Sequence, residues 1–590
     1  MADDVSQGVA WDLKDLYASG TDPRIDADLA EVDRRAEAFA KTYRGRVGSL
    51  SVTGMKGLLE EYEDLLDLAL KAGSFAHLDW AADTGDAPRG ALLQKVTERW
   101  SRFQQALTFL DLEWANAPEE TAAPLIASPL LERWRHYLTI TRRYRPHMLT
   151  EPEEKILIEK NVTGRSAWTR FFDETIAAHR FDWEGTRVPE QVILSKLHEP
   201  DREARRKAAS SLTAGLRDMG RTTTYVFNTV LADKASDDTL RRYPAWISSR
   251  NMENQVDDAT VEALVGAVTG RYDIVARYYG LKRRLLGLAE LYDYDRYAPL
   301  PAAERKYDWE QAKETVLGAY GAFHPRMAEI ASLFFDNGWI DSAVRPGKRG
   351  GAFCHGCVPS VHPYILMNFE GNARDVMTLA HELGHGVHQY LSRDRGVLSA
   401  DTPLTIAETA SVFGEALVFQ EMMRREKDPK IRLAMLVREI EDAFATVFRQ
   451  VAMNRFEDAA HTERRSGGEL PTERLSEIWL STQRAMFGGS VILTQDYGIW
   501  WSYIPHFLHT PGYVYAYSFG DLLVRALYGR YASGAGGFAD AYLGVLAAGG
   551  SDWPHVLMAR LGVDLKDPGF WANGLTLLDG MVKQAEELAG

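Results

Sequence analysis

A chain of 590 residues is longer than one ordinary hydrophobic core supports, so two or more domains are expected. Hydrophobic residues make up 45% and charged residues 26%, the balance of a soluble globular protein and not of a disordered one. The formal charge of −15 disfavours nucleic acid and anionic membrane surfaces as partners, because both call for clustered basic residues.

The segment Met1 to Gln7 is acidic and lacks the apolar core of a signal peptide, and no run of about 18 apolar residues suggests a membrane span. Two cysteines do not make a disulfide framework, so a reducing, cytoplasmic location is expected. Along the chain, helical periodicity dominates. Apolar residues recur every three or four positions over 24–45, 53–83, 88–116 and 121–144. Trp80, Trp100, Trp114 and Trp134 fall in these stretches and read as helix-packing aromatics. Thr150-Glu151-Pro152-Glu153 opens another helix with capping-box chemistry. Turn residues from Asp182 to Thr186 mark a break; Val192-Ile193-Leu194 then reads as a short strand, and Asp201 to Ala235 as helix. A second break lies at 286–309 and a third at Arg345 to Gly351, followed by a strand over Pro363 to Phe369. Helices resume at Asn372 and continue to the C-terminus, with glycine-rich turns near 467, 488 and 534–550. The expected fold is mostly α, with a small β-sheet just before one particular helix.

That helix carries the chemistry. Asn372, with Asp375 three residues on, resembles a helix start. In His381-Glu382-Leu383-Gly384-His385 the two histidines are four residues apart, so both imidazoles leave one face and can bind one ion. Glu382 sits beside that face, placed to receive a proton from water and not to bind the metal. Such a pattern also arises by chance on amphipathic helices, but strand, turn and capped helix form a fitting context. Gly384 and Gly386 each cost about 1 kcal/mol in a helix relative to Ala, which predicts a neighbour packed closely against them.

A catalytic zinc needs a third protein ligand. His388 and Leu391 stand where the metzincin pattern has Gly and His, so that pattern fails, and His388 is expected to satisfy a buried hydrogen bond. Thr402-Pro403 reads as the N-cap and first residue of a helix running through Glu408 and Glu415 to about Arg425. Glu408 is the expected third ligand; the competing reading makes it the acidic end of a capping box from Thr405. Glu415, seven residues further on the same face, is expected to orient His381 or His385. Oxyanion donors are sought in His506-Phe507-Leu508-His509-Thr510-Pro511-Gly512-Tyr513-Val514-Tyr515-Ala516-Tyr517. Its alternating tyrosines also fit an ordinary half-buried strand. Cys354-His355-Gly356-Cys357 has no second pair and is followed by Val358-Pro359, not by a helix start, which argues against a reactive thiol. A structural zinc using His355 or His362 is the competing reading.

Taken together, several blocks resemble oligoendopeptidase F, within the thimet-oligopeptidase-like zinc metallopeptidases. They are Gly347 to Phe353, Ile365 to Phe369, the histidine motif, Ala407-Glu408-Thr409-Ala410-Ser411, Trp11 to Tyr17, Arg143 to His147, Ile504 to Phe507 and Tyr513 to Tyr517. The resemblance spans almost the whole chain. It implies a zincin-like helical clamshell of two lobes around a deep channel, with an N-terminal helical region over 1–190 and a catalytic region over 191–590. It implies a metalloendopeptidase that cuts internal bonds of short unfolded peptides by zinc-activated water. One Zn2+ per chain would be held by His381, His385 and Glu408, with Glu382 as general base. His506, Tyr513 and Tyr517 would stabilise the oxyanion or hold the substrate backbone, although tyrosine spacing differs from the thimet branch and leaves Tyr515 also in play. The Tyr364 to Phe369 strand would pair with an extended substrate. A zinc carboxypeptidase or dipeptidase on a related fold and a non-catalytic peptide-binding protein are the alternatives; the second has no use for Glu382.

Overall fold

Short acceptor side chains and prolines start the first long helices. Asp22 accepts from the Arg24 amide ahead of the helix Pro23–Tyr43, Ser51 from Gly54 ahead of Val52–Ala82, and Asp86 from Arg89 ahead of Ala87–Leu107. In the computed structural model the described residues are 9–300, 305–534 and 536–590; the acidic segment Met1 to Gln7, residues 301–304 of the second predicted break, and residue 535 lie outside them. The 88–116 stretch is two helices, Ala87–Leu107 and Phe109–Asn116. The 121–144 stretch is also divided, into Glu119–Ala127, a 3-10 turn Pro129–Trp134 and Arg135–Arg143. Pro129 has no N–H to continue a helix, and Ser128 accepts from the Leu130 amide to start the next turn. Trp114 and Trp134 are buried among Phe39, Leu58 and Leu131, as helix-packing aromatics should be.

The chain forms two compact units, each assembled from three segments. One comprises Met1–Pro146, Glu304–Arg425 and Arg530–Val563; the other comprises His147–Ala303, Glu426–Gly529 and Asp564–Gly590. In the second unit, the 39-residue helix Arg202–Leu240 buries Leu212, Leu216, Val226 and Phe227 against Phe456, Trp479, Trp501 and Phe507. A hairpin of β1 (Phe181–Trp183) and β2 (Thr186–Val188) turns through Glu184 and Gly185, both with positive φ. Val192-Ile193-Leu194 is not a strand but part of the helix Glu190–Lys196, begun by Pro189. Three consecutive apolar residues carry no alternation, and here only Ile193 is buried, as one helix face would have it. Among the described residues no helix is long and apolar enough to cross a membrane.

The small sheet lies in the first unit. Its order is β3 (Ile340–Asp341), β5 (Tyr364–Leu366), β4 (Phe353–His355), with β3 parallel and β4 antiparallel to β5. The strand expected to pair with substrate is therefore central and already bonded on both sides, and β4 is an edge. Lys348, buried beneath the sheet, pairs with Asp341 at 2.7 Å and donates to the Met367 carbonyl at 2.6 Å, tying the glycine-rich stretch to β5.

From the sheet the chain enters the motif helix, Ala373–Ser392, through the predicted capping box of Asn372 and Asp375. The helix crosses Thr409–Arg425 at very short range. A Cβ on Gly384 would fall 2.6 Å from Ser411 Cα; one on Gly414 would fall 3.1 Å from the Ala380 carbonyl; one on Gly386 would fall 2.5 Å from the Phe334 ring. Two backbones thus meet through reciprocal glycines, a contact any side chain would hold apart. Replacing Gly384 by Ala gains about 1 kcal/mol of helix propensity, but overlap with backbone that cannot rotate away costs more, about 1–3 kcal/mol or above. The thermal midpoint is expected to fall in Gly384→Ala, whereas Gly57→Ala, at an exposed position of the helix Val52–Ala82 with nothing within 4 Å, should raise it.

Candidate metal centre

Four residues apart on the motif helix, the His381 and His385 rings lie 4.8 Å from one another at an interplanar angle of 80°. Both turn Nε2 toward Glu408 Oε2, each at 3.4 Å. A tetrahedral zinc with bonds near 2.0–2.1 Å sets its ligand atoms about 3.3–3.4 Å apart, so the donor set and its spacing fit such an ion. Among the described residues this is the one group of His, Cys, Asp and Glu close enough to hold a metal.

Glu408 does not lie inside a continuous helix, as the sequence led us to expect. Pro403 starts a single turn, Leu404–Ala407, and a second helix begins at Thr409. At the junction, Glu408 has φ −81° and ψ 0°; its carbonyl accepts from the Val412 amide, and Ser411 Oγ donates to its Oε2 at 2.7 Å. Backbone and side chain are thereby engaged as at a helix start, which re-aims the carboxylate toward the histidines. Glu415, one and a half turns into that helix, receives a hydrogen bond from His381 Nδ1 at 2.5 Å. An acceptor-only carboxylate places the proton on Nδ1 and leaves Nε2 to face Glu408. Tyr320, which donates to the Ala380 carbonyl at 2.5 Å, closes the crossing from the far side.

Burial and charge assign the carboxylates different states. Burial opposes ionisation of Glu408, but the His385 hydrogen bond and both imidazoles outweigh it and hold its pKa at about 2. Glu382, more deeply buried than Glu408, is raised, chiefly by burial, with the two histidines pulling the other way. Burial disfavours a charge on His381, yet Glu415, Glu408 and Glu382 together raise it to about 9. His388 is buried and lowered to about 4, first by burial and then by His385. His381, Glu382, His385 and His388 open onto a cavity of about 490 Å³ whose wall includes Phe353 and Cys354 of β4, Gln389, Asp401 and Thr402.

Cys354 donates to Gln389 Oε1 at 3.2 Å, and Cys357 adopts a left-handed φ of 58°. Both thiols are free, and burial raises both, the opposite of a reactive pair. His355 bonds Ser74 Oγ at 2.9 Å, while His362 bonds Asp15 and stacks on Trp339, so neither converges with the cysteines on a metal.

The remaining expected residues gather in the second unit. Their segment is not a strand: His506–His509 is one helical turn, Thr510 to Val514 turns back, and Tyr515–Ala532 is helix. The turn and the start of the helix send the three tyrosines in different directions. Tyr513 and Tyr517 have ring centroids 5.0 Å apart, and His506 Nε2 lies 3.2 Å from the Tyr517 hydroxyl. Tyr515 points inward and is buried, donating to Asn251 Oδ1 at 2.7 Å and accepting from Asn254 at 2.9 Å. His506 is lowered by burial, with Arg449 adding to the effect, so its imidazole is neutral at pH 7. Sequence reasoning missed Ser411, Gly414 and Tyr320. Only the glycine at 414, unfavourable within its helix, was a visible sign.

The Peptidase family M3 profile matches residues 195–577, and the Oligopeptidase F profile matches 113–181. The oligopeptidase PepF of Bacillus subtilis is 26% identical over 98% of this chain and 87% of its own. The group B oligopeptidase PepB of Streptococcus agalactiae is 25% identical over 99% of this chain and 98% of its own. A crystal structure from Chlamydophila abortus shares the fold with a TM-score of 0.89 at 24% identity, covering 98% of both chains. With more than half of its length matched by one profile, the chain belongs to peptidase family M3.

Proposed function

We propose that this protein is a zinc metalloendopeptidase that hydrolyses internal bonds of short, unfolded peptides. The observation that carries the proposal is the meeting of two Nε2 atoms and one carboxylate oxygen 3.4 Å apart, with a second, buried carboxylate alongside. His381, His385 and Glu408 would hold one zinc per chain, and Glu415 would fix the His381 tautomer. A zinc bound there supplies Lewis acidity, lowering the pKa of water and polarising the scissile carbonyl. Glu382 accepts the proton that the attacking water releases and delivers it to the leaving amine; its raised proton affinity suits both halves of that transfer. His506, Tyr513 and Tyr517 supply hydrogen-bond donors to the oxyanion or the substrate backbone. The edge strand β4, whose residues line the same cavity as Glu382, is the strand on which an extended peptide would add.

Short peptides as substrates are supported by the likeness over nearly the whole chain to the two bacterial oligopeptidases above. We place the catalytic region at 191–590 and the N-terminal region at 1–190; the gap between the two profile matches, residues 182–194, supports that boundary. Two free cysteines support a reducing cytoplasm.

Metal analysis of the purified protein is expected to give about one zinc per chain, with peptide hydrolysis lost on chelation and restored by zinc. Glu382→Gln should lose about 10²–10⁴ in kcat while keeping its zinc; a variant cutting at the wild-type rate would remove Glu382 as the base. Glu415→Ala should weaken zinc affinity about 10- to 100-fold, read by competition with a chelating dye. Mass spectrometry of cleaved peptide mixtures should find bonds broken inside the chains; cleavage confined to C-terminal residues would instead make the enzyme a carboxypeptidase.

A further inference from the structure

Glu457 is a fully buried carboxyl in the second unit, on the helix Phe448–Gly467, and the mechanism above does not use it. Its Oε1 accepts from the Gly512 amide at 2.8 Å, and its Oε2 has no hydrogen-bond partner among the described residues. Burying such a group for a single hydrogen bond is costly, which directs attention to what that bond does. Burial raises its pKa to about 8, against the pull of the Gly512 amide and Arg250, so the side chain is neutral at pH 7.

What the bond holds is the turn between His506 and the two tyrosines. Gly512 has φ +75°, and a Cβ there would lie 2.6 Å from Ile247 Cδ1. The turn closes through the Thr510 amide to the His506 carbonyl at 3.0 Å and the Tyr513 amide to Thr510 at 3.1 Å. Arg250 donates to the Pro511 carbonyl at 3.5 Å and lies 5.9 Å from the Tyr513 ring. Neighbouring segments are anchored separately, Tyr515 by Asn251 and Asn254, and the His509 carbonyl by Arg165 at 2.8 Å. The Gly512 amide is tied down from within the core by Glu457.

We infer that Glu457 is a positioning residue, whose hydrogen bond to Gly512 sets the turn that holds Tyr513 beside His506 and Tyr517. The inference rests on the reading of that cluster as donors to the substrate. A neutral carboxyl and a carboxamide offer the same acceptor oxygen, whereas methionine fills similar space without one.

The test measures steady-state kinetics and zinc content of Glu457→Gln, Glu457→Met, Tyr513→Phe, His506→Ala and the Glu457→Met, Tyr513→Phe double variant. Glu457→Gln should stay within about twofold of the wild-type kcat, while Glu457→Met loses about 10- to 100-fold in kcat with zinc retained and KM little changed. The double variant should be no slower than the slower single one, since both act through the same hydroxyl. Wild-type kcat in Glu457→Met, an equal loss in Glu457→Gln, or losses that multiply in the double variant would each overturn the inference. If Tyr513→Phe and His506→Ala keep full activity, the donor reading falls as well; if they lose it and Glu457→Met does not, only the role of Glu457 falls. Should Glu457→Met fail to fold, hydrogen exchange at the Gly512 amide decides: slow exchange in the wild type and in Glu457→Gln supports the tether, and exchange at the rate of an exposed amide refutes it.

Discussion

The candidate metal centre depends on how closely two helix backbones approach. Gly384 on the motif helix lies against Ser411, and Gly414 on the next helix lies against the Ala380 carbonyl. Ligand positions must be set to within about 0.2 Å for a metal site, and side chains meeting through flexible intermediates do not give that. Backbone touching backbone does. With the crossing fixed, one helix supplies two imidazoles and the other supplies a carboxylate at its entrance and another further along, each at hydrogen-bonding or ligating range.

That arrangement concentrates three carboxylates around two imidazoles, all but Glu382 only partly buried. Each charge is costly there by itself and tolerable only because an opposite partner is within reach. The consequence is a division of labour among chemically similar groups. Glu408, bonded to His385 and Ser411, stays ionised far into acid. Glu382 has burial acting on it with less to offset it, and holds a proton more readily. Two carboxylates pushed apart in this way are the usual sign of distinct roles, one holding a cation and one exchanging protons.

Much of this was legible in the chain because local chemistry and tertiary structure agree. The capping pair Asn372 and Asp375, the four-residue histidine spacing and the costly glycines each describe the motif helix without reference to anything distant. Glu408 was identified by its place in a following helix, although that helix is in fact broken at Glu408, where Ser411 folds back on the carboxylate. Local patterns failed where two periods look alike. Alternating tyrosines suggested a strand, but the intervening Gly512 turn, closed by Thr510 and Tyr513, converts the spacing into one helical repeat with Tyr515 facing inward. Val192 to Leu194 misled because three apolar residues in a row are too short to show any period. Other contributions were invisible in principle. Tyr320 reaches across 60 residues to Ala380, and Glu457 across 55 to Gly512. Neither separation leaves a mark in a window of the sequence.

Both compact units are stitched from three separate stretches, and this has a consequence for how the molecule is made. The histidine motif and Glu415 have left the ribosome while the stretch Arg530–Val563, which belongs to the same unit, is still untranslated. Tyr542, whose hydroxyl bonds the Thr409 carbonyl beside Glu408, comes with that later stretch. At about 5–20 residues per second, synthesis of the whole chain takes about half a minute to two minutes. For the last part of that time, the crossing helices and their apolar flanks wait for partners that do not yet exist. Neither unit can close as an independent nascent domain, so the surroundings of the centre are complete only once the chain has been made as far as Val563.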